Sequence, residues 1–403
     1  MRRALVIIIV LLALGVGAWF YFSQTTTAPA GQTISNTSPF GTGEGSVSDN
    51  GAGTDTNSTS TSNVSSIPTA HLYKLSDAPV AGAVAFTNKA GALMVRYVER
   101  ATGHIIEIDP ISLAKTEIVN TTVPKVYEAL WKKDGSAVIM RTLAGDNETI
   151  LSTSISLTPP AGTSTSDTYT TKSASLVSNI DSISGYQNAI FYTIKNQPQI
   201  ISALFDGTKA ATIWSNPFTD WTLHATSDSS ALLVAKASAQ AQGYAYTLRK
   251  SGVPQKILGP FYGLSAVESG DFSHVVYSYS ANGITQLAAK NLSTGATSSV
   301  TPITLADKCV WSTKGVKYGT VFCAVPIEPL ASDEPDNWYQ GTTHYTDRIW
   351  RFDTDTNFSL ILSEPKKDYN LTIDAEHLFL SPAEDYLFFQ NKNDLSLWAL
   401  KLD

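Results

Sequence analysis

Positive charge is scarce in this chain, and no cluster of Lys or Arg occurs beyond Arg2 and Arg3. With a net charge of -7, the basic face that phosphate binding needs is missing, so nucleic acid is excluded as a partner. Only two cysteines are present, Cys309 and Cys323. Two are too few for a disulfide-stapled mini-domain or for a cysteine metal centre. The six histidines (71, 104, 224, 274, 344 and 377) show no HExxH or other paired spacing. No GxSxG elbow is found, which removes the usual strand-turn-helix serine nucleophile. From residue 71 onward there is also no amphipathic helical pattern of any length, which argues against bundles and alternating βα units.

What remains is a chain poor in charge, rich in Gly, Ser and Thr, and 10% aromatic, the profile of many short strands joined by turns. Its 403 residues divide by composition. Residues 4–22, ALVIIIVLLALGVGAWFYF, are apolar or small without a charge, and a helix of roughly 20 such residues crosses a bilayer. The two arginines before it keep residues 1–3 as a cytoplasmic stub, with everything after on the extracytoplasmic side. A cleaved signal peptide ending near Ala28-Pro29-Ala30 is the competing reading. The length of the run and its closing Trp19, Phe20, Tyr21 and Phe22 favour an uncleaved single-pass anchor in the cell membrane. Residues 23–70 carry Ser, Thr, Gly, Asn and Ala with no Lys or Arg. Such a segment buries too little to offset ordering entropy and reads as a flexible tether, its ends roughly 40 Å apart. Its GTGEG (41–45) lacks the flanking strand and helix of a nucleotide loop.

Residues 71–403 repeat. GAVAFTNKAGALMVRY (82–97), ALWKKDGSAVIM (129–140), SISGYQNAIFYTI (182–194), TLHATSDSSALLVA (222–235), SAVESGDFSHVVYSY (265–279), CVWSTKGVKYGTVFCAV (309–325) and HLFLSPAEDYLFFQ (377–390) each join a strand to a more apolar strand. Between them lie second hairpins such as HIIEIDPISLAKTEIV (104–119) and IWRFDTDTNFSLIL (349–362). Copies start about 40–55 residues apart, about 70 across one insertion, the period of four-stranded propeller blades. The expected fold is all-β, a seven-bladed β-propeller. LSLWALKL (395–402) supplies only a third strand to the last blade, so HLYKLSD (71–77) is expected to add the fourth and close the ring. The recurring hydrophobic–x–x–(Ser/Lys/Gly)–x–Asp–(Gly/Ser/Phe)–x–x–apolar motif resembles the TolB-like and WD-repeat-like propellers over nearly all of 78–403. Trp-Asp dipeptides are missing and Gly-His occurs once, at Gly103-His104, which points to the looser TolB-like type in a bacterial envelope. The resemblance implies a fold, since propellers serve as scaffolds, receptors and enzymes.

Four features bear on chemistry. In DTDTNFSLILSE (353–364), Asp353, Asp355, Asn357 and Glu364 take positions 1, 3, 5 and 12 of a calcium loop, but Phe358 stands where that loop needs Gly. The plain hairpin reading is preferred, leaving an incidental calcium ion as a weak candidate and no other cofactor. Cys309 and Cys323 fall opposite each other on a hairpin centred on Val316 and are expected to form a structural disulfide, buried free thiols being the alternative. No repeated S-x-D-x-G-x-T-W box of the sialidase type occurs, and carboxylates such as Glu364 and Asp385 are scattered over turns, which leaves a glycosidase pair unsupported. Finally, PIEPLASDEPDNWYQGTTHYTD (326–347) replaces a connection that other blades make in a few residues, and ordered loops of that length are usually functional.

Asp336, Asn337, Trp338, Tyr339, His344 and Tyr345 are therefore the expected binding residues, either as an exposed contact face or as a lid over the channel. The expected role is a non-catalytic binding or scaffold module for an envelope protein or surface polymer. A glycan hydrolase or lyase at the cell surface is the main alternative. A structural domain of a larger assembly is a third, and it predicts apolar patches on the blade sides.

Overall fold

A computed structural model describes residues 70–160, 169–250, 252–314 and 319–402. The expected membrane span at 4–22, nearly all of the tether and most of the turn at 157–170 lie outside the described residues. Among the described residues, no helix is long and apolar enough to cross a membrane.

The described chain is all-β and antiparallel throughout. Strand β1 (Leu72–Lys74) opens it. Next come β2–β5 (Val80–Thr87, Leu93–Glu99, Ile105–Ile108, Lys115–Val119) and β6–β9 (Glu128–Trp131, Ala137–Leu143, Ile150–Thr158, Thr170–Ser175). A third meander holds β10–β13 (Ile180–Gly185, Ala189–Ile194, Gln199–Leu204, Ala211–Ser215). Strands β14–β20 follow (Trp221–Ser227, Ser230–Ala235, Gln242–Arg249, Gln255–Glu268, His274–Ala281, Ile284–Asn291, Thr297–Ser299). The chain ends with β21–β24 (Cys309–Trp311, Thr320–Pro326, Asp347–Asp353, Phe358–Ser363) and β25–β27 (Ala375–Leu380, Tyr386–Asn391, Ser396–Lys401).

Each meander is a four-stranded sheet, except that β14–β20 form one sheet of seven. The reason is β17. Its first half is the outermost strand beside β16, and its second half is the innermost strand beside β18. The sequence reads there as two strands, but the link between them stays extended, with the bend at Gly259 (φ +100°) and Gly263 (φ +58°). A Cβ at Gly259 would lie 2.5 Å from the Gly243 carbonyl oxygen, so only glycine fits.

The first strands touch in the order β2, β6, β10, β14, β17, β21, β25, and β25 returns to β2. This is the arrangement of a β-propeller. The cores lie between neighbouring sheets, which explains why the second strands are apolar on both faces. In β26, Phe388 packs toward β2–β5 with Val95 and Tyr97, and Phe389 packs the other way with Phe322 and Ile349. In β7, Val138 and Met140 face one neighbour and Ile139 the other. Buried tryptophans tie inner strands together: Trp131 Nε1 donates to the Gly82 carbonyl (3.1 Å) and Trp311 Nε1 to that of Val267 (2.7 Å).

β1 pairs with β27 (Leu72 with Leu400, Lys74 with Trp398), so the first and last described strands share a sheet. Leu75 follows β1, donates its N–H to the Leu397 carbonyl (2.7 Å) and is buried among Val80, Val95, Phe388 and Leu397. Leu75→Ala should therefore cost about 2–5 kcal/mol, read as a lowered urea midpoint. Lys74→Ala, which removes only the surface pair with Asp394, should cost less than about 1 kcal/mol.

Candidate functional site

The long insert packs where the inner strands β21 and β25 begin and beside β17. It contains a single helical turn, α1 (Asp336–Tyr339), and joins β22 to β23. Its aromatic centre is turned inward. Trp338 is only 4% exposed, and its Nε1 donates to Asp374 Oδ1 at 3.1 Å. The indole lies between two ammonium groups, with Lys308 Nζ 4.9 Å and Lys392 Nζ 4.5 Å from a ring centroid, a cation–π arrangement on a desolvated ring.

Beneath it is a buried ion cluster. Lys308 has no exposed side-chain surface and contacts Asp374 Oδ1 at 2.5 Å and Asp347 Oδ2 at 2.8 Å. Burial alone would lower the lysine, but the two carboxylates outweigh it and raise it. One cation facing two carboxylates leaves an excess negative charge in a dry site. Burial first, then repulsion by Asp374, push Asp347 up to about 6 despite the opposing pull of Lys308. Its Oδ1 has no hydrogen-bond partner among the described residues, so part of the carboxylate is desolvated without compensation.

Glu334 does the same work for the loop backbone. Its buried carboxylate accepts from the Trp338 N–H (2.9 Å), the Thr343 hydroxyl (2.7 Å) and the Tyr345 hydroxyl (2.6 Å). The Tyr345 N–H also donates to Asp374 Oδ2 at 3.1 Å.

Farther along, the insert reaches the β15–β16 connection. Asp336 accepts from the Ala239 N–H (2.5 Å), and Gln240 Nε2 donates to Asp333 (2.9 Å). Tyr339 is 45% exposed as a residue, yet its hydroxyl points inward and donates to Asp307. Burial of the hydroxyl and the negative charge of Asp307 hold it well above its usual range. His224 lines the same small space, and burial lowers its imidazole against a partial offset from Asp307.

The expected binding residues thus separate. Trp338 and Tyr345 are buried, so their rings are turned into the fold and not toward solvent. Asp336 and Asn337 are half-buried and committed to the loop's own fold. Only Tyr339 and His344 keep exposed surface. Lys308, Asp347 and Asp374 escaped sequence reasoning because they are scattered along the chain, each at or just before the start of a strand.

Cys309 and Cys323 are directly paired across β21 and β22 and joined by a disulfide, with Cα atoms 4.1 Å apart. The calcium candidate residues are engaged in other ways. Asp353 accepts from Thr320 (2.6 Å) and pairs with Arg351 (2.9 Å), Asp355 contacts His274 Nε2 (2.9 Å), and Asn357 sits in the turn at φ +54°. Among the described residues, no three His, Cys, Asp or Glu side chains group as metal ligands.

Away from the insert, the channel opens into a cavity of about 600 Å³. The small side chains of Ala81, Gly82, Ala83 and Ala85 on β2 create the space. Leu130, Val310, Phe379 and Leu380 complete largely apolar walls. Its mouth is formed by hairpin turns between first and second strands: Lys133 and Tyr186, Thr313, and Ser381–Glu384. Lys133 Nζ donates to the Tyr186 hydroxyl (3.1 Å) and lies 4.4 Å from its ring centroid. Glu384 accepts from the Ser312 hydroxyl (2.5 Å), the Thr313 N–H (2.7 Å) and the Lys314 N–H (3.2 Å). Burial acts against its ionised form, but these donors prevail and hold its carboxyl below the usual range. His377 lines the cavity at φ +52°, inside a bulge of β25, the kind of irregularity that re-aims a side chain.

No protein-family model and no curated protein matches the chain. Solved structures do. An oligogalacturonate lyase from Vibrio parahaemolyticus aligns with a TM-score of 0.53 and 9% identity over 82% of this chain and 93% of that one. An oligogalacturonate lyase in complex with manganese gives 0.53 and 8% over the same shares. TolB from Acinetobacter baumannii gives 0.41 and 12%, over 66% of this chain and 60% of TolB. At these identities the likeness to the lyases is one of fold: the chain is a β-propeller.

Two outcomes test the seat of the insert. Asp347 is raised relative to the unfolded chain, where an aspartate titrates near 4. Its contribution to stability is therefore fully present below about 4 and is lost as pH rises through about 6. Urea titrations between pH 4.5 and 7.5 should show this slope in the wild type, and Asp347→Asn should flatten it. Trp338→Ala should cost about 3–5 kcal/mol and expose residues 327–346 to limited proteolysis, which the wild-type loop should resist.

Proposed function

We propose that this chain is a seven-bladed, TolB-like propeller, held on the extracytoplasmic side of a bacterial membrane by residues 4–22 through the tether at 23–70. It acts as a non-catalytic binding module for an envelope protein or surface polymer. The end that receives the partner is the open cavity, and the aromatic insert is the permanent closure of the other end. Counting the two halves of β17 separately gives seven inner strands in the ring, which supports the blade number.

One observation carries the reading: the aromatic insert is folded inward on a buried ion cluster, while the cavity is open, apolar within and already satisfied at its polar rim. Glu384 accepts from four donors, and Glu128 is paired with Arg141. Carboxylates committed in this way are poorly placed to exchange protons with a substrate, whereas apolar walls with a few fixed polar groups suit binding. His377 in its bulge is the feature that favours the alternative, an enzyme acting on a surface glycan.

A photo-crosslinker replacing Tyr186 in cells of the native source should give a discrete adduct, and one replacing Tyr339 should give none. An adduct from 339 alone would return the contact face to the insert. Oligosaccharide cleavage that disappears in His377→Ala would make the protein an enzyme.

A further inference from the structure

The outer edges of the sheets are not alike. Those of β5 and β9 carry Lys115, Thr116 and Glu117, and Thr170, Thr171 and Lys172, while β1 and β20 are three residues long. Charge and shortness are the usual means of keeping an edge strand from pairing with another chain. Like β24, β13 (ATIWS) is uncharged, but it keeps Ile213 and Trp214 half-buried, whereas β24 has no such protection. It is six residues long, FSLILS, with Phe358 47%, Leu360 45% and Ile361 39% exposed. It ends its sheet, pairing only with β23, so alternate N–H and C=O groups along its outer side are free to accept a further strand. Tyr369, in the helical turn α2 (Pro365–Tyr369) just beyond, extends the apolar surface.

We propose that this edge pairs with β24 of a second copy of the same chain, antiparallel about a two-fold axis near Leu360 and Ile361. Charge decides for the second copy. Exposed Asp355 lies at one end of the strand, held on its inner side by His274, and exposed Lys366 lies at the other. An antiparallel copy brings its Lys366 beside Asp355, and the reverse pair forms by symmetry, as an isologous interface requires. The strand pairing is short, so the contact belongs to the weak class of interfaces. The proposal is independent of what the cavity binds.

The test uses the full chain in its membrane. Ile361→Cys with a short bis-maleimide should yield a covalent dimer of the chain, and Val253→Cys, on an exposed turn elsewhere, should not. Leu360→Lys added to Ile361→Cys should reduce the dimer at least about tenfold, the effect of about 1.4 kcal/mol. Lys366→Asp should weaken it, and Asp355→Lys combined with Lys366→Asp should restore it. All these side chains are at the surface, and an unchanged thermal midpoint checks that each variant folds. No dimer from Ile361→Cys, equal dimer from Val253→Cys, or an adduct of Ile361→Cys to a different protein would each overturn the proposal.

Discussion

Every sheet in this molecule buries both faces against its neighbours, and that single constraint forces the ring to close. A sheet at a seam would expose one apolar face, as β26 shows: Phe388 needs the β2–β5 sheet and Phe389 needs the β21–β24 sheet. The last sheet draws its strands from opposite ends of the described chain, with β1 hydrogen-bonded to β27. The pairing fastens the two chain ends to each other, so the seam sheet is complete and neither end strand can leave without opening a core on both sides.

Closure also fixes the central channel, and the two ends of that channel are solved by different physics. At the insert end, buried charge specifies geometry. Lys308, Asp347 and Asp374 hold one another, and Asp374 also holds the Trp338 indole and the Tyr345 backbone. Buried ion clusters of this kind contribute little net stability but punish any arrangement that leaves one member unpaired. The insert therefore has one seat and not several. At the cavity end, space arises from small residues on β2 facing larger ones across the ring, and Lys133 and Glu384 at the rim are held by neutral hydrogen-bond partners.

The hairpins were legible in the sequence because a strand buried on both faces leaves a continuous apolar run, such as YLFFQ or AVIM, bounded by a tight polar turn. The pairing of the cysteines was legible because it depends on one hairpin. The seat of Trp338 was not. Its partner Asp374 lies beyond two more strands, and nothing local distinguishes DEPDNWYQG with its rings outward from the same segment with them inward. The burial of Lys308 was hidden for the same reason, since a lysine between ITLAD and CVW reads as a surface residue. The cavity left a faint signal in VAGAVA, whose small side chains mean little until the opposite wall is known. β17 shows the converse: two strands read separately become one when the link between them stays extended around Gly259 and Gly263.

The edge of β24 makes sense against this background. A propeller protects its inner strands by closure and its faces by stacking, so the outermost strands are where its backbone can still pair with another chain. The other outer strands are blunted by charge, by hydroxyl groups or by shortness. β24, in the sheet that also carries the insert and the disulfide, keeps three large apolar residues at the surface between an acidic and a basic end. Solvation alone would favour polar residues at those positions, as in β9. Their presence costs solubility, and the cost is offset only if the edge is covered. A second β24 covers it with the same residues and matches its charge by symmetry.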